Sequence, residues 1–243
     1  MYALYSNVPH FPIGHLPFAL NSRRITVRPS LHTEIEARLA RTPAKYYYTR
    51  LNVYTELLPQ NSYTFESQPI FPTYSCAPLM FVVFQSQTRS EGSYKKSIHK
   101  LELPGGHDTK GSPRLQSIDF LLNNNHPEKY VSVYQNTVVE GALLRNYTQM
   151  FRNLNAYYTD QDFHMPYSTF MDTFPIFCFN TSASSRLFAR TLPLVKTGSV
   201  KIALKFREPT PNNVIQKMIV YSFSPSVLTV DHKRVINLSY RTS

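Results

Sequence analysis

The feature that most restricts this chain is a strict two-residue alternation at residues 200–207. Val200, Ile202, Leu204 and Phe206 share one face, and Lys201, Ala203, Lys205 and Arg207 share the other. Successive side chains of a strand point to opposite faces, so this pattern belongs to a half-buried strand. The next apolar run, Met218 to Phe223, is hydrophobic at nearly every position and reads as a strand covered on both faces. Pro209 and Pro211 exclude a helix between the two. The expectation is an edge strand lying beside a central strand.

The rest of the chain repeats this theme. Eighteen Pro against seven Gly, with 17 Tyr and 16 Phe, suit many short strands joined by proline-bounded loops. At 243 residues the chain is long enough to bury a substantial core. Strand-like runs come in the order YTRLNVYTELL, SYTFES, LMFVVFQS, LQSIDFLL, TFPIFCFN, GSVKIALKF, IQKMIVYSF and VLTVDHKRVI. A shorter one, RRITVRP at 23–29, precedes them. SLHTEIEARLAR, residues 30–41, instead spaces Leu31, Ile35 and Leu39 four apart, sets Glu34 and Arg38 at i and i+4, and stops before Pro43. It is predicted to be a helix packed on the side of the sandwich through those three apolar residues. A second helical segment is expected at Val138–Asn155. The fold class is therefore all-β: an eight-stranded antiparallel jelly-roll sandwich with one short connecting helix and a helical loop excursion.

Motifs that would carry chemistry fail in detail. GGHDTKGS, residues 105–112, has the glycine spacing of a phosphate loop, but Ser112 stands where its lysine belongs, and Pro113 and a strand follow in place of a helix. Eight histidines raise the possibility of a metal-dependent jelly-roll enzyme, yet none lies two residues from another, the pair that usually announces such a site. A triad of Ser112, His107 and Asp108 lacks the Gly-x-Ser-x-Gly elbow that would give it meaning. No catalytic residue, metal site or cofactor is expected. Cys76 and Cys178 sit beside apolar runs and read as buried free thiols, and the sequons at Asn146, Asn180 and Asn237 as chance matches. The opening segment, broken by Pro9, Pro12 and Pro17 and lacking a basic leader, does not read as a signal peptide, and no apolar run approaches a membrane span. A soluble, intracellular chain is expected.

The order of the strands is itself informative. TPAKYYYTRLNVYTELLP, through Ala44, Lys45, Tyr46, Arg50, Val53, Thr55 and Pro59, resembles the segment that opens the second jelly roll of the major capsid (hexon-like) proteins of Polinton or Maverick elements, adintoviruses and related virophages. SEGSYKKS is similar to a later family segment through Gly92, Ser93, Tyr94 and Lys96. The closing strands are similar through Gly198, Phe206, Val220, Tyr221, Phe223, Asp231, Arg234 and Ile236. The resemblance spans about residues 23–240. It implies that residues 44–243 form the C-terminal jelly roll, and that 1–43 are the remnant of a preceding one, its last strand plus the connecting helix 30–41. It also implies a structural capsid protein in the shell of a virus-like particle, located in the virion and, before assembly, in the host nucleus or cytoplasm. Its partners would be itself and related capsid subunits, with a homotrimer for the full-length form. A jelly-roll module binding carbohydrate or nucleic acid is the alternative.

Charge points to one further partner. The net charge is +11, and residues 181–243 carry ten Lys or Arg against Glu208 and Asp231 alone. Arg186, Arg190, Lys196, Lys201, Lys205 and Arg207 are the candidate nucleic-acid-binding residues, a patch facing packaged DNA without sequence preference. The alternative is a solvated outer face whose lysines keep a sheet soluble.

Overall fold

The structure is a computed structural model that describes residues 26–70, 77–91, 97, 99–107, 114–123, 139–154, 165–181 and 198–240. Its described residues divide into two units: those within 50–224 form the larger, and 26–49 together with 225–240 form the smaller.

Among the described residues there are eight strands, and β2–β6, β4–β6, β3–β5, β3–β7 and β7–β8 pair antiparallel. They are β1 (Ala44–Leu57), β2 (Thr64–Glu66), β3 (Leu79–Ser86), β4 (Leu115–Leu122), β5 (Phe177–Asn180), β6 (Val200–Phe206), β7 (Gln216–Val230) and β8 (Ile236–Tyr240). One sheet has the order β1-β7-β3-β5 with β8 also paired to β7, and the other has the order β2-β6-β4. A complete jelly roll places its first, eighth, third and sixth strands in one sheet and its second, seventh, fourth and fifth in the other. Allowing for one jelly-roll strand between β4 and β5 without a counterpart among the described residues, the order here is the same. The helices among the described residues are α1 (Pro29–Arg41), α2 (Gln87–Ser90), α3 (Val139–Asn153) and α4 (Tyr167–Asp172); the last two occupy that interval, and α3 matches the predicted helical excursion.

In the larger unit the two sheets enclose one core. Met80, Val82 and Phe84 of β3, Met218 and Val220 of β7, and Phe177 and Phe179 of β5 meet Ile118 and Phe120 of β4 and Ile202 and Leu204 of β6. Phe120 stacks on Phe179 across the sheets at 5.5 Å. A third layer covers part of the other face of the first sheet. Met150 and Phe151 of α3 and Phe170 of α4 pack on Leu79 and Cys178, with Tyr147 and Phe223 beside them. Asn153 Nδ2 donates to the Cys178 carbonyl at 2.6 Å and so pins the end of α3 to β5.

Five expectations are corrected. β6 alternates as predicted, but it is the centre of its sheet and β7 belongs to the other sheet, so no edge and centre lie side by side. Alternation reports which face is wet; it carries no information about lateral neighbours. β7 in turn is not covered on both faces along its length, since Ile219 and Tyr221 are half-buried. The run VLTVDHKRVI is not one strand: β7 continues to Val230, a turn follows, and β8 begins at Ile236. Pro225 does not stop β7: pairing with β3 ends at Phe223 and pairing with β8 begins at Ser226, so the proline takes part in neither of these two ladders. Finally, α1 (Pro29–Arg41) forms where expected, but it buries nothing, with Leu31 48% and Ile35 42% exposed. Of RRITVRP, residues 23–25 lie outside the described residues and Thr26–Arg28 are not a strand.

Candidate functional site

The larger unit carries an inverted edge strand. Tyr54 packs against the main core and its hydroxyl donates to Glu56 Oε2 at 2.7 Å, while Glu56 accepts the Gln68 amide at 3.2 Å. Alternation then sends Leu51, Val53 and Leu57 to the opposite face, where they are 50%, 53% and 50% exposed. β1 is the edge of its sheet and adjoins β7. The apolar stripe of a two-sided strand normally faces the core. Here a tyrosine–glutamate clasp takes that place, and burial followed by the Glu56 hydrogen bond raises the Tyr54 phenol to about 12. Nothing in the period of RLNVYTELL distinguishes this arrangement from the ordinary one, so sequence patterning missed it.

The basic face lies on the second sheet. Lys201, Ala203 and Lys205 point away from the core on β6. Cross-strand pairs share a face. Thr64 and Ser117 therefore flank Lys205, and Glu66 and Asp119 flank Ala203. Lys201 Nζ is 2.7 Å from Glu66 Oε1, whereas Lys205 and Arg207 are exposed. The structure thus puts Lys201 and Lys205 on one face of β6, with Arg207 just past its end, and sets Glu66 of β2 and Asp119 of β4 on that face beside them. Arg186, Arg190 and Lys196 lie outside the described residues.

The glycine-rich loop is a turn anchored from beneath. Gly105 and Gly106 have φ +76° and +67°. The Gly105 amide donates to Gln216 Oε1 at 2.7 Å, and Gln216 Nε2 donates to the Leu103 carbonyl at 3.1 Å. A cavity of about 570 Å³ beside it is lined by Arg89, Lys100, Glu102, His107 and Asp172 among others, with Arg89 Nε and Glu102 Oε1 paired at 2.7 Å. Asp108 and Ser112 of the paper triad lie outside the described residues. Among the described residues no three His, Cys, Asp or Glu converge as metal ligands, and no helix is long and apolar enough to cross a membrane. Cys178 is buried and free, and burial raises its thiol to about 12. Cys76 lies outside the described residues.

No family model and no curated protein matches the sequence. Among solved structures, the chain is similar to one from the Sputnik virophage at 12% identity and TM-score 0.45, covering 83% of this chain and 39% of that one. It is similar to a chain of the PBCV-1 virus capsid at 9% identity and TM-score 0.47, covering 86% and 54%. It is similar to the mavirus major capsid protein at 8% identity and TM-score 0.40, covering 83% and 42%. The chain therefore spans about half of these proteins or less.

Proposed function

We propose that this chain is a structural capsid protein, a jelly-roll subunit of the shell of a virus-like particle from a mobile element or endogenous virus of the Polinton, Maverick or adintovirus type. The observation that carries the proposal is the exposed apolar stripe Leu51, Val53 and Leu57 on the edge strand β1. Contiguous exposed apolar surface on a stable scaffold is characteristic of a protein that packs against other subunits. The strand order and the resemblance of the closing motifs supply the kind of subunit. On this proposal residues 44–243 are the second of two jelly rolls, residues 1–43 belong to the end of the first, the full-length form is a trimer, and the chain resides in the virion.

The test is assembly. Co-expression with a full-length two-jelly-roll relative is expected to yield regular trimers or particles by electron microscopy. Val53→Glu is expected to abolish incorporation while leaving the melting temperature within a few degrees of the parent, because the side chain is exposed. If no trimers or particles form, or the variant assembles as well as the parent, the proposal fails.

A nucleic-acid-facing role for the second sheet is a separate reading favoured by the exposure of Lys205 and Arg207. Replacing Lys201, Lys205 and Arg207 by glutamine is expected to reduce the salt slope of DNA binding by about two to three. An unchanged slope removes the patch.

A further inference from the structure

Four hydroxyl residues of this chain stand directly before a proline: Thr42, Ser112, Thr210 and Ser224. The fold treats them differently. Thr210 is buried, and its hydroxyl donates to the Pro59 carbonyl at 2.7 Å while accepting the Ser62 amide at 3.0 Å. Ser224 is half-buried within β7, and Ser112 lies outside the described residues. Thr42 is exposed, and so is Pro43 after it.

Thr42 is the C-cap of α1, where its amide donates to the Arg38 carbonyl at 2.9 Å. At φ −143° and ψ 115° its backbone is already extended, as the residue before a proline prefers. β1 begins at Ala44, so Thr42 and Lys45 are joined by chain that has left the helix. α1 buries none of its residues, and this junction can be engaged without opening a core.

Charge completes the arrangement. Lys45 stands three residues after Thr42, Arg41 one residue before it and Arg38 one helical turn before it, and all three are exposed. Arg38 is paired with Glu34 at 2.7 Å, an exposed contact worth little and easily exchanged. The carbonyls at the end of a helix oppose an added anion. Here three cations stand against that opposition.

We propose that Thr42 is a phosphorylation site, taking the γ-phosphoryl group of ATP from a proline-directed protein kinase that reads a basic residue three positions on. In the transfer Thr42 Oγ1 attacks the γ-phosphorus and the Oγ1–P bond forms. The bond from that phosphorus to the β,γ-bridging oxygen breaks, ADP leaves with its electron pair, and the hydroxyl proton passes to a carboxylate of the kinase. Pro43 suits such a kinase because it brings no N–H that would be left unpaired in the binding cleft, and Lys45 supplies the charge. The product carries about two negative charges, which turns the +3 of Arg38, Arg41 and Lys45 into about +1 at the junction of α1 and β1. This does not rest on the capsid proposal, because the site is complete within residues 38–45.

Incubating the intact chain with a purified kinase of this class and ATP is expected to place phosphate on Thr42, located by tandem mass spectrometry. Pro43→Ala and Lys45→Gln, both at exposed positions, are each expected to slow that modification about tenfold or more. Asn213→Lys separates structure from motif, since it gives Thr210 the same proline and the same lysine three positions on. Thr210 is nonetheless expected to stay unmodified in the folded variant, its hydroxyl being buried and bonded. Absence of phosphate from Thr42, an unchanged rate in either variant of its flanks, or modification of Thr210 in Asn213→Lys as fast as that of Thr42 would each overturn the proposal. Failure of capsid assembly would not.

Discussion

At the scale of the residue, three positions carry more constraint than their chemistry announces. Gly105 is required twice over: its φ is +76°, and a Cβ there would lie 2.9 Å from the Phe206 ring. Gly105→Ala is therefore expected to lower stability by about 1–3 kcal/mol in chemical denaturation. Tyr54 titrates near 12 when folded and near 10 when unfolded. Between those values the unfolded chain releases a proton that the folded chain keeps, so this residue's contribution to stability is present below pH 10 and is lost as pH rises from 10 to 12. Tyr54→Phe is expected to flatten that part of the alkaline decline in the denaturation midpoint. Cys178, with its thiol pushed up to about 12 by burial between β5 and α3, lacks the thiolate that reacts. In a Cys76→Ser background, thiol reagents are expected to modify it at the rate at which α3 opens, and labelling as fast as that of a denatured control would contradict its burial.

At the scale of the element, the same amphipathic signal produced two outcomes. α3 lays Met150 and Phe151 on β3 and β5 and is held by Asn153, whereas α1, with Leu31, Ile35 and Leu39 at equally good spacing, buries none of its residues. Periodicity shows that a helix has an apolar face; it does not say that anything covers that face. Leu31→Ala and Ile35→Ala are accordingly expected to change stability by no more than about 0.5 kcal/mol in the isolated chain. Phe84→Ala, at the centre of the core and fully buried, is expected to cost about 3–5 kcal/mol. β1 makes the converse point. Its apolar stripe is legible in RLNVYTELL, but its orientation is set by the Tyr54–Glu56–Gln68 clasp, whose partners are twelve residues apart and invisible to local pattern.

At the scale of the molecule, stability is concentrated in the larger unit. Among the described side chains of the smaller unit only Ser226 and Val227 are buried, while the larger holds both apolar clusters. Local opening follows buried apolar contact. In dilute protein, amide exchange in α1 and β8 is thus expected to be orders of magnitude faster than in β3 and β6, and uniform protection would contradict the division.

The sequence by itself determined the class of the fold and most of its elements. Strand period is a local property, and LMFVVFQS and LQSIDFLL coincide with β3 and β4 residue for residue. Proline punctuation and helix spacing were equally local. What only the tertiary structure decided was adjacency: β6 in the middle of its sheet, β7 running through Pro225 from its β3 ladder to its β8 ladder, Glu66 and Asp119 set beside the lysines, and an apolar stripe on the outside of β1. The physical reason is the same in each case. A residue's alternation is fixed by the chain that bears it, but its burial and its charge neighbours come from strands a hundred residues away, and those are chosen by packing the whole sandwich at once.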